Sequence, residues 1–296
     1  MMVGDTGSFK STLAIGIGVC VQNSLPWHSF HTRACNVAIF NHEDGNSFKT
    51  RYLASLNHYQ ISEPSLFWDS QVPNLLNTSE VDDRISAMKE ASIGLVVIDT
   101  LAHAIPGADE NSAKDMGLAI ANVIRIKQHL NATVLLVHHT GKDVSKGARG
   151  SSSLKAAVDT EILVTASRGR VKLDQRKQRH CPISEPIHLT PQEVPLDGTS
   201  ACILVPDAGA SVVAGDHHLT GKNAVGWTVL QRLARANGDL PLDLYMQELR
   251  ANESFTAGQT KTGSFDKAVS RLLKELSDLE LITQSGDHLT LTERSI

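Results

Sequence analysis

Short apolar runs punctuate the first two thirds of the chain, and each gives way to polar residues. Asn36-Val37-Ala38-Ile39-Phe40 runs into His42-Glu43-Asp44-Gly45. Ile93-Gly94-Leu95-Val96-Val97-Ile98 ends in Asp99-Thr100, and Ala132-Thr133-Val134-Leu135-Leu136-Val137 ends in His138-His139-Thr140-Gly141-Lys142. Runs of this kind, apolar without alternation, predict strands buried on both faces. Leu13 to Val21 predicts an apolar helix, and Ser47 to Asn57 a second helix. From about Ser112 to His129 a third helix is predicted, with Met116, Ile120, Val123, Ile124 and Leu130 at helical spacing. Strand, helix and strand in this order predict an α/β fold, a mostly parallel sheet flanked by helices.

Ala157 to Thr165, Arg170 to Asp174, Ile187 to Leu189 and Ser200 to Val205 predict further strands. Residues 206–221 keep no period and are expected to be a linker. After it, Asn223 to Ala236, Leu242 to Ala251 and Ser264 to Leu281 have helical spacing, and two short apolar runs around Ser285-Gly286-Asp287 predict a hairpin. The expected organisation is an α/β domain over 1–205, a linker over 206–221 and a small winged-helix-like α+β domain over 222–296.

Composition narrows the classes. At 296 residues, 41% hydrophobic and 20% charged, the chain is an ordinary globular protein rather than a disordered one. A net charge of −4 requires any nucleic-acid site to be a local patch, and 4% aromatics disfavour a row of stacking platforms. Cys20, Cys35, Cys181 and Cys202 have no C-x-x-C spacing, which argues against zinc or a disulfide framework and for a reducing compartment. No apolar stretch is long enough to span a bilayer and no signal peptide precedes residue 4, so a cytoplasmic protein is expected.

The strongest chemical signal is Gly4-Asp5-Thr6-Gly7-Ser8-Phe9-Lys10-Ser11-Thr12. It matches the phosphate-binding pattern G-x-x-x-x-G-K-[ST] except that Phe9 stands where glycine is usual. In such a loop backbone N–H groups and Lys10 bind the phosphates of ATP, and the Ser11 hydroxyl holds Mg²⁺. Only Met1, Met2 and Val3 precede it, so the strand that normally leads in is expected to be nearly absent. Asp99, just after a buried strand, fits a carboxylate holding Mg²⁺ directly or through water, with turn capping as the alternative. Glu43 is the candidate for activating the attacking water, with Asp44 its neighbour and competitor. His138 and His139 end a strand at the same sheet edge, where a histidine can hydrogen-bond a γ-phosphate.

Between Lys142 and Arg179 there are ten Lys or Arg and four Asp or Glu, a local positive region. Its first part is a Gly/Ser/Lys loop in which Lys142, Lys146 and Arg149 suit a nucleic-acid backbone, an ordinary solvated loop being the alternative. Lys177 and Arg179 fall on one side of an extended chain and suit contact with the nucleotide of a neighbouring subunit. Over residues 222–296 the balance is nine basic to ten acidic, which leaves DNA and protein contacts equally open for that domain.

With these motifs in this order, residues 1–205 resemble the RecA-like ATPases, and within them the RepA/DnaB-type hexameric helicase group carried by phages and plasmids. The resemblance rests on G-D-T-G-S-F-K-S-T, F-N-H-E-D-G (40–45), V-V-I-D-T-L-A (96–102), E-N-S-A-K-D-M (110–116), L-L-V-H-H-T-G-K (135–142), G-A-R-G-S-S-S-L-K-A-A-V-D (147–159) and K-Q-R (177–179). It implies ATP and Mg²⁺ as ligands, Lys10, Ser11 and Asp99 in the phosphate and metal roles, and Glu43 as the water-activating residue. It further implies His139 as the γ-phosphate sensor, Lys177 and Arg179 as the finger acting on the next subunit, and a DNA-contacting loop at 142–153. The expected assembly is a hexameric ring on single-stranded DNA, with a replication partner at the C-terminal domain. The alternative is a nucleotide-switched regulator or helicase loader with slow hydrolysis.

Overall fold

The computed structural model describes residues 1–28, 30–42, 45–62, 65–141, 152–207, 211–214, 217–237, 240–256 and 262–292. They divide into two compact units, one of residues 1–24 and 33–204, the other of residues 25–32 and 205–296.

The first unit runs β1 (Met2–Gly4), α1 (Lys10–Gln22), β2 (Asn36–Asn41), α2 (Gly45–Tyr59), β3 (Phe67–Asp69), α3 (Thr78–Glu90) and β4 (Ile93–Asp99). It continues through α4 (Leu101–Ala104), α5 (Ala113–Leu130), β5 (Thr133–His139), α6 (Ser152–Ala157), β6 (Thr160–Ser167), β7 (Arg170–Gln178), β8 (Ile187–Leu196) and β9 (Thr199–Pro206). The nine strands form one sheet in the order β3-β2-β4-β5-β1-β6-β7-β8-β9. The first six are parallel, and β7 and β8 join antiparallel. The expected α/β class therefore holds.

Strand alternation feeds two helical layers. Val37, Ile39, Leu95, Val97 and Val137 pack with Ala14, Ile15 and Val19 of α1 and Phe48 and Leu56 of α2. Ala38, Phe40, Val96, Ile98 and Leu136 face the other way, onto Val81 and Ile85 of α3 and Met116, Ala119 and Ile126 of α5. Both faces of each strand are thus apolar, which is why these strands read as continuous hydrophobic runs.

The strand before the loop is short but central. Met2, Val3 and Gly4 are buried and pair with β5 on one side and β6 on the other. Three residues suffice because both neighbours supply a ladder. Ala157, expected in a strand, ends helix α6 instead, since Ser152 to Ala157 is rich in helix formers and Leu154 anchors it in the core.

The second unit contains β10 (Ser211–Ala214), β11 (His217–Thr220), α7 (Gly221–Asn237), β12 (Leu240–Pro241), α8 (Leu242–Ala251), α9 (Glu253–Thr256), α10 (Thr262–Asp278), β13 (Ile282–Ser285) and β14 (His288–Leu291). The expected linker over 206–221 thus holds an antiparallel pair, β10 with β11, and the β-branched Val212 and Val213 favour that state. The last three strands form a small antiparallel sheet, β12-β14-β13. Its core gathers Trp227, Leu230, Tyr245, Leu249, Phe255, Leu272, Leu276 and Leu289. Among the described residues, no helix is long and apolar enough to cross a membrane.

Candidate active site

The parallel strands deliver their chemistry to one edge. Gly4 pairs with His139, and Asn41 with Asp99, so the C-terminal ends of β1, β5, β2 and β4 lie in register. A cavity of about 450 Å³ opens there, lined by residues 6–12, His42, Arg51, Asp99, Thr100, His103 and His139. In open parallel sheets this edge is where ligands bind.

The loop is held by its own backbone and by β5. Ser8 N–H donates to Asp5 O at 3.2 Å, and Gly7 has a φ of +79°. Gly4 allows a close approach: a Cβ there would lie 2.4 Å from Val164 O and 2.6 Å from Ser8 Oγ. Thr140 ties the end of β5 to the loop, its N–H donating to Gly4 O at 3.3 Å and its Oγ1 to Asp5 Oδ1.

Phe9 is the N-cap of α1, with φ 69° and ψ 18°. That left-handed conformation is the one glycine accepts without strain. Phe9→Gly is therefore expected to keep the loop, with nucleotide affinity within about threefold of the parent. Phe9→Val, β-branched at positive φ, is expected to melt below the parent. Thermal midpoints and nucleotide titration of the two variants check this.

Lys10 begins α1 and is only 6% exposed. Its Nζ donates to Gly4 O at 2.9 Å and Asp5 O at 2.7 Å, with Ser8 Oγ at 3.4 Å. Burial lowers its pKa, and Asp99 and then Asp5 oppose that shift. Asp99 is 4% exposed, and its Oδ2 accepts from Asn41 Nδ2 at 2.8 Å. The buried Asp99 carboxylate and the Ser11 and Thr12 hydroxyls share this cavity, and such oxygen donors fit Mg²⁺. His139 lines the cavity, whereas its neighbour His138 is 1% exposed in the interior.

Three cavity residues besides Thr100 escaped the sequence reading. Arg51 of α2 donates to Ser47 O and Oγ at 3.2 and 3.1 Å; burial lowers its pKa and Asp99 opposes this. The His42 and His103 rings lie 4.6 Å apart. His103 Nδ1 is 3.1 Å from Thr100 Oγ1, and burial, followed by the nearby His42, lowers the His103 pKa. His42 falls within F-N-H-E-D-G with no pattern of its own to mark it, and Arg51 and His103 carry no local signal because helix rotation places them.

Glu43, Asp44, Lys142, Lys146 and Arg149 lie outside the described residues. Lys177 and Arg179 are not brought to this cavity. In the β6–β7 ladder Lys177 pairs with Glu161, while Gly4 of β1 pairs with Val164 of β6, so the two cations sit near the opposite end of the sheet. There Lys177 Nζ donates to Lys155 O and Ala156 O at 2.7 and 3.0 Å. Arg179 bonds Asp159 at 2.7 Å and Ala156 O at 2.9 Å. Both cations meet carbonyls at the C-terminal end of α6, a favourable place for positive charge. Lys127 first, then Arg179 and His180, hold the Asp159 carboxyl below its usual range.

Residues 1–145 match the family model described as an AAA domain. The crystal structure of the RadB recombinase is similar at a TM-score of 0.45 and 14% identity, over 64% of this chain and 85% of that one. No curated protein matches the chain. The AAA match spans the loop, Asp99 and His139, and together with the cavity it supports a P-loop ATPase.

Proposed function

We propose that this chain is a Mg²⁺-dependent ATPase that acts on DNA as a ring-forming motor of the RepA/DnaB helicase type, in phage or plasmid replication. One observation carries the reading: Lys10, Ser11, Asp99 and His139 line a single cavity at the C-terminal edge of the parallel sheet.

In this mechanism the loop N–H groups and the N-terminus of α1 take the inner phosphates of ATP. Lys10 exchanges the carbonyls of Gly4 and Asp5 for phosphate oxygens. Ser11 and Asp99 would hold Mg²⁺, which when bound neutralises charge shared by the β- and γ-oxygens. Glu43, next to His42 in the sequence, accepts a proton from the attacking water. Arg51 adds positive charge from within the same chain. His139 senses the γ-phosphate, and the adjoining Thr140 and Gly141 lead to the segment in which Lys142, Lys146 and Arg149 contact single-stranded DNA.

Lys177 and Arg179 complete the site of the next subunit. Their separation from this chain's own loop supports a role in trans: three strand residues, from Glu161 to Val164, already span about 10 Å. Arg179→Ala is expected to lower turnover by about a thousandfold while nucleotide affinity stays within a few-fold. The Asp159 ion pair it also loses is exposed at the surface and is worth at most about 1 kcal/mol. Full turnover by Arg179→Ala, or by a demonstrably monomeric preparation, would sink the assignment.

A further inference from the structure

Charge on α10 is segregated. Phe265, Val269, Leu272 and Leu276 are buried at spacings of four and three, which turns the opposite side of the helix outward. On that side Lys267, Ser270, Arg271 and Lys274 are exposed and recur every three or four residues, forming one stripe two turns long. Acidic neighbours are off the stripe or engaged elsewhere. Asp266 meets Arg250 at 3.5 Å, and Glu275 accepts from Asn223 Nδ2. Asp278 follows one turn after Lys274 and closes the stripe. Among the described residues, no carboxylate forms an ion pair with Lys267, Arg271 or Lys274. The near balance of charge over 222–296 therefore hides a local positive face.

We propose that this stripe binds duplex DNA, with α10 lying in the major groove. Three unpaired cations in a row create a field that attracts a polyanion. Lysine, arginine and serine are donors suited to phosphates, and arginine also to the O6/N7 edge of guanine. Among the described residues, none of the exposed large apolar side chains lies on this face, although the cores of protein–protein interfaces rely on apolar and aromatic anchors. A nucleic acid thus fits better than an acidic protein. Lys267 and Lys274 are separated by about 10 Å along the axis, so the stripe offers a central arginine flanked by two phosphate contacts. The stripe uses residues other than the 142–149 segment proposed for single-strand contacts and takes a different form of DNA.

The test titrates the full chain, without nucleotide, into a fluorescent random duplex, the matching single strand and poly-glutamate over a range of salt. For Lys267→Gln/Arg271→Gln/Lys274→Gln the duplex affinity is expected to fall about tenfold or more. The slope of log affinity against log salt becomes shallower by about 2–3, near 0.9 per lost contact. Single-strand affinity and DNA-free ATP turnover are expected to stay within about twofold. Asp278→Asn is expected to tighten duplex binding. Glutamine has nearly the helix propensity of the residues it replaces; should the triple variant still melt early, Arg271→Gln alone carries the test. Duplex binding equal to the parent's, an equal loss on duplex and single strand, preference for poly-glutamate, or a parent chain that binds no duplex at low salt would each overturn the proposal.

Discussion

Asp99→Asn is expected to cut ATP turnover at least about a hundredfold while leaving the protein folded. The substitution preserves shape. Asn41 Nδ2 lies 2.8 Å from Asp99 Oδ2, and an asparagine amide can turn its oxygen toward that donor, so the buried contact survives. What disappears is the negative charge that opposes the burial-driven lowering of the Lys10 pKa. The ammonium then loses its proton at lower pH than in the parent. Residual turnover of the variant should therefore fall away earlier as pH rises, whereas the parent holds its rate further into the alkaline range. A pH–rate profile of the two proteins at saturating Mg²⁺ checks both points. Unchanged turnover in the variant would remove Asp99 from the metal role.

Gly4→Ala should be the most damaging small substitution in the loop. The added methyl would stand 2.4 Å from Val164 O, a carbonyl of the adjacent strand, and 2.6 Å from Ser8 Oγ. The serine can rotate away, but the carbonyl is fixed because Gly4 and Val164 are ladder partners. Relief requires moving β1, and Gly4 O is also the acceptor for Lys10 Nζ and Thr140 N–H. Overpacking of this kind costs about 1–3 kcal/mol, and here the displaced backbone is the phosphate-binding loop itself. Expected are a lowered thermal midpoint and loss of most nucleotide affinity. Normal nucleotide binding by Gly4→Ala would mean that the loop can close around phosphate without the tight contact between Gly4 and Val164.

The legible parts of the fold are those whose signal is local. β2, β4 and β5 could be read because both faces of each are apolar, one face feeding α1 and α2 and the other α3 and α5. Helix α3 is hard to read although it has a start signal: Asn77 caps it through Glu80 N–H, and Val81, Ile85 and Met88 follow at helical spacing. Its many polar residues masked that rhythm. The β10–β11 pair has a weak signature because Ala, Gly, Asp and His dominate its surroundings, leaving Val212 and Val213 as the main β signal.

The site divides in the same way. Lys10, Asp99 and His139 stand at strand or loop ends, so chain order alone brings them to one edge. Arg51 and His103 reach the cavity from helices α2 and α4. Their approach depends on how those helices rotate against the sheet, which no sequence window records. The position of Lys177 and Arg179 follows from the antiparallel return of β7, which reverses direction and carries them away from the loop end.

The most direct measurement is steady-state ATP turnover by the full chain with Mg²⁺, side by side with Lys10→Ala, each with and without single-stranded DNA. Expected is Mg²⁺-dependent hydrolysis that rises with protein concentration and with DNA, and that falls at least about a hundredfold in Lys10→Ala. Equal turnover in the two proteins, or a parent chain that neither binds nor hydrolyses ATP, would contradict the assignment of this cavity as the nucleotide site.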